Sequence, residues 1–279
     1  MSKVSVLIPA RNEPYLSRTV EECLSKAYGD VEVVVTLDGC DADLKPDRRL
    51  KVIRKLQPEG MRAAINSAAA VATGDFLFKL DAHCLLSEGY DEALQSECDS
   101  DWIVVPRRYR LDVDKWCIRE DKPDPVDYHY LSYPYNDKNP GLHGTEWKER
   151  ARARKDIPLD DEMSSQGSAY FMSRRHWDRL DGLDAAGYGQ FIQEFQEIGM
   201  KTWLGGGEVK VNKSVFYAHW HKPSRGYSLS KYEALAGTKY STEYWMGNKW
   251  PARKYNLSWL IAKFWPVPTW PEDWAAKWE

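Results

Sequence analysis

Cysteine is scarce in this sequence: five in 279 residues, at positions 23, 40, 84, 98 and 117, with no pair at CxxC spacing. An odd, scattered set builds neither a disulfide framework nor a cysteine-rich zinc site, and it predicts reduced thiols in a cytoplasmic setting. No apolar run approaches the ~20 residues that span a bilayer. Met1 to Pro9 lacks a long apolar region and a small-residue cleavage site, so no signal peptide is expected. Net charge is nearly absent as well. The balance of 39 Lys+Arg against 42 Asp+Glu excludes a wholly basic nucleic-acid coat protein, though not a local basic patch. Glycine (18) and proline (15) are too ordinary in number for a collagen-like or low-complexity chain. Two phosphate-cradling motifs are also missing. No G-x-G-x-x-G follows the first apolar run, and no G-x-x-x-x-G-K-S/T occurs anywhere. Any bound phosphate must then be held by a cation or by basic side chains.

What is present is length, apolar content and alternation. A chain that is 43% hydrophobic at this size can bury a substantial core. Val4 to Ile8 is a short apolar run ended by Pro9, read as a buried strand. Leu16, Val20, Leu24 and Ala27 recur at helical spacing behind Pro14, and Gly29 ends them. Further strands are expected at 31–37, 50–53, 75–80 and 102–106, with helices at 60–73 and 88–98. Strands separated by helices imply parallel βαβ units, hence an α/β fold with an open, mostly parallel, Rossmann-like sheet. Residues 107–160 carry five prolines and charges of both signs, and read as one long irregular insertion of the kind that carries function. Regular signals return as a strand at 168–172, helices at 174–180 and 190–198, and a strand at 209–216. The expected organisation is one α/β unit over 1–221 and an extension over 222–279. That extension holds 13 aromatics and nine Lys/Arg against five Asp/Glu.

Open α/β sheets bind ligands at the carboxyl ends of their strands. Three polar clusters follow the apolar strands: Pro9 to Glu13, Asp38-Gly39, and Asp81-Ala82-His83-Cys84. Asp81 and His83 are two apart. In extended backbone they point to the same side, about 6–7 Å apart at Cα. A carboxylate and an imidazole so placed can grip one divalent cation, and mixed oxygen and nitrogen ligation suits Mn2+ or a similar ion better than Ca2+, with Mg2+ as the alternative cofactor. Such a cation could neutralise a diphosphate leaving group. An isolated D-x-H is more readily a capped strand end with a structural histidine; its place after a βαβα run favours the metal reading. His219 and His221 follow the last strand one residue apart, so both could face the same site.

These segments carry a resemblance. Val-Ser-Val-Leu-Ile-Pro-Ala-Arg-Asn-Glu (4–13), Gly-Met-Arg-Ala-Ala-Ile-Asn (60–66) and Gly-Asp-Phe-Leu-Phe-Lys-Leu-Asp-Ala-His-Cys (74–84) resemble family 2 glycosyltransferases of the GT-A fold. The Leu-Asp-Ala-His-Cys run is similar to polypeptide N-acetylgalactosaminyltransferases, where D-x-H replaces the commoner D-x-D. The resemblance covers roughly 3–106 and 163–222 and implies a metal-dependent transfer from a nucleotide-sugar, most simply a UDP-sugar, to an acceptor hydroxyl. It implies that Asp38 contacts the base, that Pro9, Arg11 and Glu13 line the nucleoside pocket, and that Arg62 and Asn66 lie near it. Asp81 and His83 would bind metal and diphosphate, with His219 as the further metal contact and His221 as second choice. Lys222 or Arg225 would add positive charge to the diphosphate.

Acceptor chemistry is less legible. The Glu-Asp pair that opens a helix in inverting members is missing. Glu194 is the best candidate base, since deprotonating a hydroxyl needs a carboxylate within reach, although with Glu197 it equally reads as a solvated helix face. Asp161, in Asp160-Asp161-Glu162, is the rival, or part of a solvated loop. The aromatic extension reads first as a core-completing set of helices, then as a membrane-surface segment or a nucleic-acid groove. The acceptor is expected to be a glycan, a protein or a modified DNA base. Two alternatives follow: a phage-type glycosyltransferase acting on a hydroxymethylated DNA base, and a non-catalytic nucleotide-sugar or glycan-binding protein with the same fold.

Overall fold

The computed structural model describes residues 1–228 and 230–278. The chain opens with β1 (Val4–Ala10), α1 (Leu16–Lys26), β2 (Val31–Asp38), β3 (Leu50–Lys55), α2 (Met61–Val71) and β4 (Phe76–Leu80). Every residue of β2 and all but one of β1 are buried, as expected for strands covered on both faces. One stripe of α1 (Leu16, Thr19, Val20, Cys23) faces the sheet. In α2 the buried side chains include Ala64, Ile65, Ala68 and Ala69, small enough to let the helix lie close on the strands.

Then come β5 (Cys84–Leu86), α3 (Tyr90–Ser96) and β6 (Trp102–Asp112). The stretch expected to be irregular is only partly so. β6 runs to Asp112, and β7 (Cys117–Ile118), the antiparallel pair β8 (His129–Ser132) and β9 (His143–Glu146), α4 (Lys148–Ala153) and β10 (Leu159–Asp161) follow. Strands of two to four residues between prolines are too short to show a period in sequence. The chain closes with β11 (Ala169–Ser173), α5 (Arg174–Arg179), α6 (Ala185–Tyr188), α7 (Glu194–Leu204), β12 (Glu208–His219), α8 (Lys231–Met246) and α9 (Leu257–Phe264).

The main sheet runs β10-β12-β6-β11-β4-β1-β2-β3. β4, β1, β2 and β3 pair in parallel, as do β6 and β12, while β11 lies antiparallel to both β4 and β6. Two antiparallel steps restore the direction, so β6 and β12 point the same way as β1, β2 and β4. Their carboxyl ends therefore share one edge. Residues of the extension enter the core beneath it: Trp245, Trp250, Leu257, Leu260, Ile261 and Trp270 are all buried. Among the described residues no helix is long and apolar enough to cross a membrane.

One buried acid ties the far edge together. Glu32 on β2 accepts from Ser5 Oγ at 2.7 Å, from the Thr73 amide at 2.6 Å and from Lys3 and Lys51 at 3.1 and 2.8 Å. Burial alone would raise its pKa; the donors outweigh that and lower it to about 2. A depressed folded-state pKa stabilises the fold above the ordinary carboxylate range, and the benefit is lost as pH falls towards 2. Glu32→Gln should lower unfolding free energy at neutral pH by about 1–3 kcal/mol and flatten the loss of stability in acid, read by urea melts between pH 2 and 7. Parallel pH curves for the two proteins would contradict this role.

Candidate active site and metal centre

A cleft of about 730 Å3 opens at the shared carboxyl edge of the sheet. Its floor is built by strand register. β5 pairs antiparallel with β12 so that Cys84 lies opposite His219, which puts the 81–83 turn against the end of β12. His219 Nε2 sits 3.1 Å from Asp81 Oδ2 and 3.0 Å from His83 Nε2. The donor atoms of Asp81, His83 and His219 all lie within 4.8 Å of one another.

The chemistry of this set suits a cation. His83 Nδ1 is 3.0 Å from Glu13 Oε2, a contact that turns the ring so that Nε2 faces Asp81 and His219. Burial, only partly offset by Asp81, lowers the His219 pKa to about 3, so this ring is neutral. Burial opposes ionisation of Asp81, but Lys79 and the two histidines overcome it and hold the carboxyl well below its ordinary range. Two imidazole nitrogens and one ionised carboxylate thus converge on one point, a mixed nitrogen and oxygen donor set. Glu13 is the outer partner that aims His83. His219 Nδ1 has no hydrogen-bond partner among the described residues, so that ring lacks such a guide.

Lys79 is the member that sequence reasoning missed. It is fully buried, and its ammonium donates to Asp81 Oδ1 at 2.6 Å and to the Gly167 carbonyl at 2.5 Å. Glu194 Oε2 lies 3.2 Å away. A lysine at an interior position of an otherwise apolar, buried strand was the available signal, because charge is rarely placed there without partners. Burial pushes the Glu194 carboxyl up, with Lys79 and Tyr170 pulling against burial and against the Asp81 charge. Its Oε1 is buried without a hydrogen-bond partner among the described residues.

The remaining expected residues divide. Pro9, Arg11, Glu13 and Asp38 line the cleft with Asp81, His83 and His219, as does His221. Asp38 accepts from the Glu59 and Gly60 amides at 2.6 and 3.0 Å. Gly60 has φ +97°, and a Cβ there would meet Gln190 Cβ at 2.5 Å, so only glycine lets these two loops touch. Arg11 lies 4.6 Å over the Tyr227 ring. Glu13 is turned towards His83 and Lys222, not only towards the nucleoside side. Glu194 lines the cleft, but α7 begins at Glu194 and not at 190, because Gln193 takes φ 51° and breaks the helical path.

Two expectations are corrected. Arg62 is not in the cleft: it is fully buried beneath α7, paired with Glu197, bonded to the Ile192 carbonyl and stacked 4.0 Å over Tyr188. Asp161 lies on β10 and is neutralised by Lys210 at 2.6 Å and Lys263 at 2.8 Å, outside the cleft. An acidic run beside a long loop is indistinguishable in sequence from an edge strand held by lysines.

Residues 5–157 match the family model described as glycosyl transferase family 2. The chain is 25% identical over 270 residues to polypeptide N-acetylgalactosaminyltransferase 12 of Mus musculus, covering 88% of this chain and 44% of that protein. It is 26% identical over 238 residues to polypeptide N-acetylgalactosaminyltransferase 5 of Caenorhabditis elegans, covering 76% of this chain and 36% of that protein. A crystal structure of GalNAc-T7 with UDP, GalNAc and Mn2+ matches with a TM-score of 0.72 at 20% identity, over 89% of this chain and 50% of that one. The two share the GT-A fold. The chain spans half or less of the length of these relatives.

The geometry separates ligand from guide. Asp81→Asn should abolish Mn2+ binding, and Glu13→Gln should weaken it about 10–100-fold, measured by the spin resonance of free Mn2+ in a titration. Unchanged affinity in Glu13→Gln would mean that the carboxylate serves Lys222 alone.

Proposed function

The chain belongs to glycosyl transferase family 2, and on that premise we propose that it moves a sugar from a UDP-sugar to an acceptor hydroxyl, using Mn2+ held by Asp81, His83 and His219. The observation that carries this reading is the convergence of those three donor groups in the floor of a cleft at the carboxyl edge of the sheet. That GalNAc-T7 was solved with UDP, GalNAc and Mn2+ supports the same classes of donor and metal.

When bound, the divalent cation supplies positive charge against the departing diphosphate. The chain's own residues do the rest. Glu13 keeps His83 Nε2 aimed inward, and Lys79 keeps Asp81 ionised in a buried setting. Pro9, Arg11 and Asp38 form the nucleoside wall. Lys222 and Arg225, which also line the cleft, add charge on the diphosphate side. Glu194 serves as the acceptor base: its Oε1 has no hydrogen-bond partner among the described residues and its carboxyl is raised by burial, which favours taking a proton, while Lys79 steadies the ionised form. Burial of Glu194 between Lys79 and Tyr170 also fixes its position before substrate arrives. The acceptor is a glycan or a peptide. No feature of the cleft specifically favours a DNA base or a binding-only role.

Calorimetric titration of UDP with and without Mn2+ tests the donor site. Binding should depend on Mn2+ and fall about 100-fold or more in Asp81→Asn. Nucleotide binding indifferent to the metal would overturn the reading. Glu194→Gln should leave Mn2+-dependent UDP affinity within about twofold and lower turnover, including slow UDP-sugar hydrolysis, by about 10²–10⁴-fold.

A further inference from the structure

Among the described residues two arginines are buried, Arg62 and Arg108. They differ in one respect. Arg62 is paired with Glu197. Arg108, on β6 opposite Tyr217, lines the cleft and takes part in no ion pair with a described residue. Its side chain makes a single hydrogen bond among them, donating from NH1 to His221 Nε2 at 3.4 Å. Its neighbour Arg107, by contrast, forms a two-pronged pair with Asp127 at 2.9 and 2.7 Å. A buried guanidinium without a counter-charge is costly to keep unless a ligand brings that charge.

The position tells which ligand. The donor side has its own cations: Lys222 against Glu13, Arg11 over Tyr227, and Arg225 over Phe191. Arg108 makes none of these contacts; its hydrogen-bond partner is His221, whose ring lies 5.2 Å from the His219 ring at their centroids. The wall around Arg108 comes from the 107–146 segment and includes His129, His143 and Glu146. Burial lowers the pKa of His129 and of His143, so neither competes as a cation. Tyr135 lies against His143 at 4.0 Å between centroids, a flat face of the sort that covers a sugar ring.

We propose that Arg108 marks an anion subsite on the acceptor side of the cleft, which receives the carboxylate or phosphate of an acidic glycan acceptor. The guanidinium offers planar, forked N–H groups that fit either anion. His221 holds the fork from one side; Glu146 and Glu162 act on the guanidinium without pairing with it, so the anion supplies the contact partner. This deepens the transferase reading and rests on it for the word acceptor, but not for the anion site itself.

The test is binding of small anions by calorimetry, with sulfate and glucuronate as probes and glucose as the neutral control. Each is titrated into protein saturated with UDP and Mn2+, and into protein without either. Wild type should bind sulfate and glucuronate, and glucuronate at least about tenfold more tightly than glucose. Arg108→Gln should weaken both anions about tenfold or more, and Arg108→Lys should recover part of the loss. UDP affinity in the presence of Mn2+ should stay within about twofold in both variants, and their thermal melts should show intact folding. Equal affinity of wild type for glucuronate and glucose would overturn the proposal. So would a loss of UDP affinity in Arg108→Gln as large as the loss of sulfate affinity, because the arginine would then serve the donor diphosphate. If UDP and Mn2+ fail to bind wild type, the transferase reading falls, and the arm without them still decides whether Arg108 holds an anion.

Discussion

The site depends on one pairing. His219 is 138 positions from Asp81, and β5 against β12 brings them to 3.1 Å. A shift of that register by one residue would turn His219 to the opposite face of its strand and leave Asp81 and His83 without a third donor. β12 can make this contact because it also runs beside β6, with an irregularity between Asn212 and Phe216 that lets the strand change course before its last turn of residues. The strands on either side of β11 therefore deliver side chains to the same edge, although the chain between them contains two antiparallel reversals.

Charge burial is the second constraint, and it is met locally. Lys79 sits between Asp81 and Glu194, so the metal-side acid and the candidate base share one ammonium. Behind them Arg62 and Lys201 both pair with Glu197 on α7. Each of these buried charges thus has an opposite neighbour at hydrogen-bond distance, the condition under which desolvation is tolerable. These pairs do little for net stability relative to apolar packing. Their consequence is geometric: α7 cannot shift against β4 without separating charges in a dry setting, so Glu194 is held where the cleft needs it. Arg108, buried in the wall of the cleft, has no such ion-pair partner among the described residues.

The extension shows the same economy of apolar surface. Of the aromatics that in sequence read first as a core-completing set, then as an interfacial belt or a stacking groove, Trp245, Trp250 and Trp270 are drawn into the core while Tyr232 and Trp265 stay exposed. Trp245 donates to Tyr188 Oη at 2.6 Å and Trp270 to the Leu131 carbonyl at 2.7 Å. Indole rings with their N–H groups satisfied inside the protein act as core side chains with a polar handle. Their burial beside β8, α6 and α7 links residues after 230 to the wall of the cleft.

Local patterns determined the α/β class, the first six elements and the D-x-H turn, because each rests on short-range periodicity, a stop signal or a two-residue spacing. They also placed His219 and His221 near the site, and the family resemblance singled out His219 as the metal contact. Glu194 and Asp161 looked alike in sequence, each an acid near a helix or loop. Only tertiary packing decided that one faces the cleft beside Lys79 while the other is neutralised by Lys210 and Lys263 on an edge strand. Arg62, Lys79 and Arg108 are single cations whose meaning is set by partners more than 100 residues distant or adjacent on a strand, and no local pattern encodes which of them is paired. Sequence records which groups are available. Burial, register and the distance to a counter-charge decide which become structural and which are left for a ligand, because a charge has a functional consequence only in the field of its neighbours.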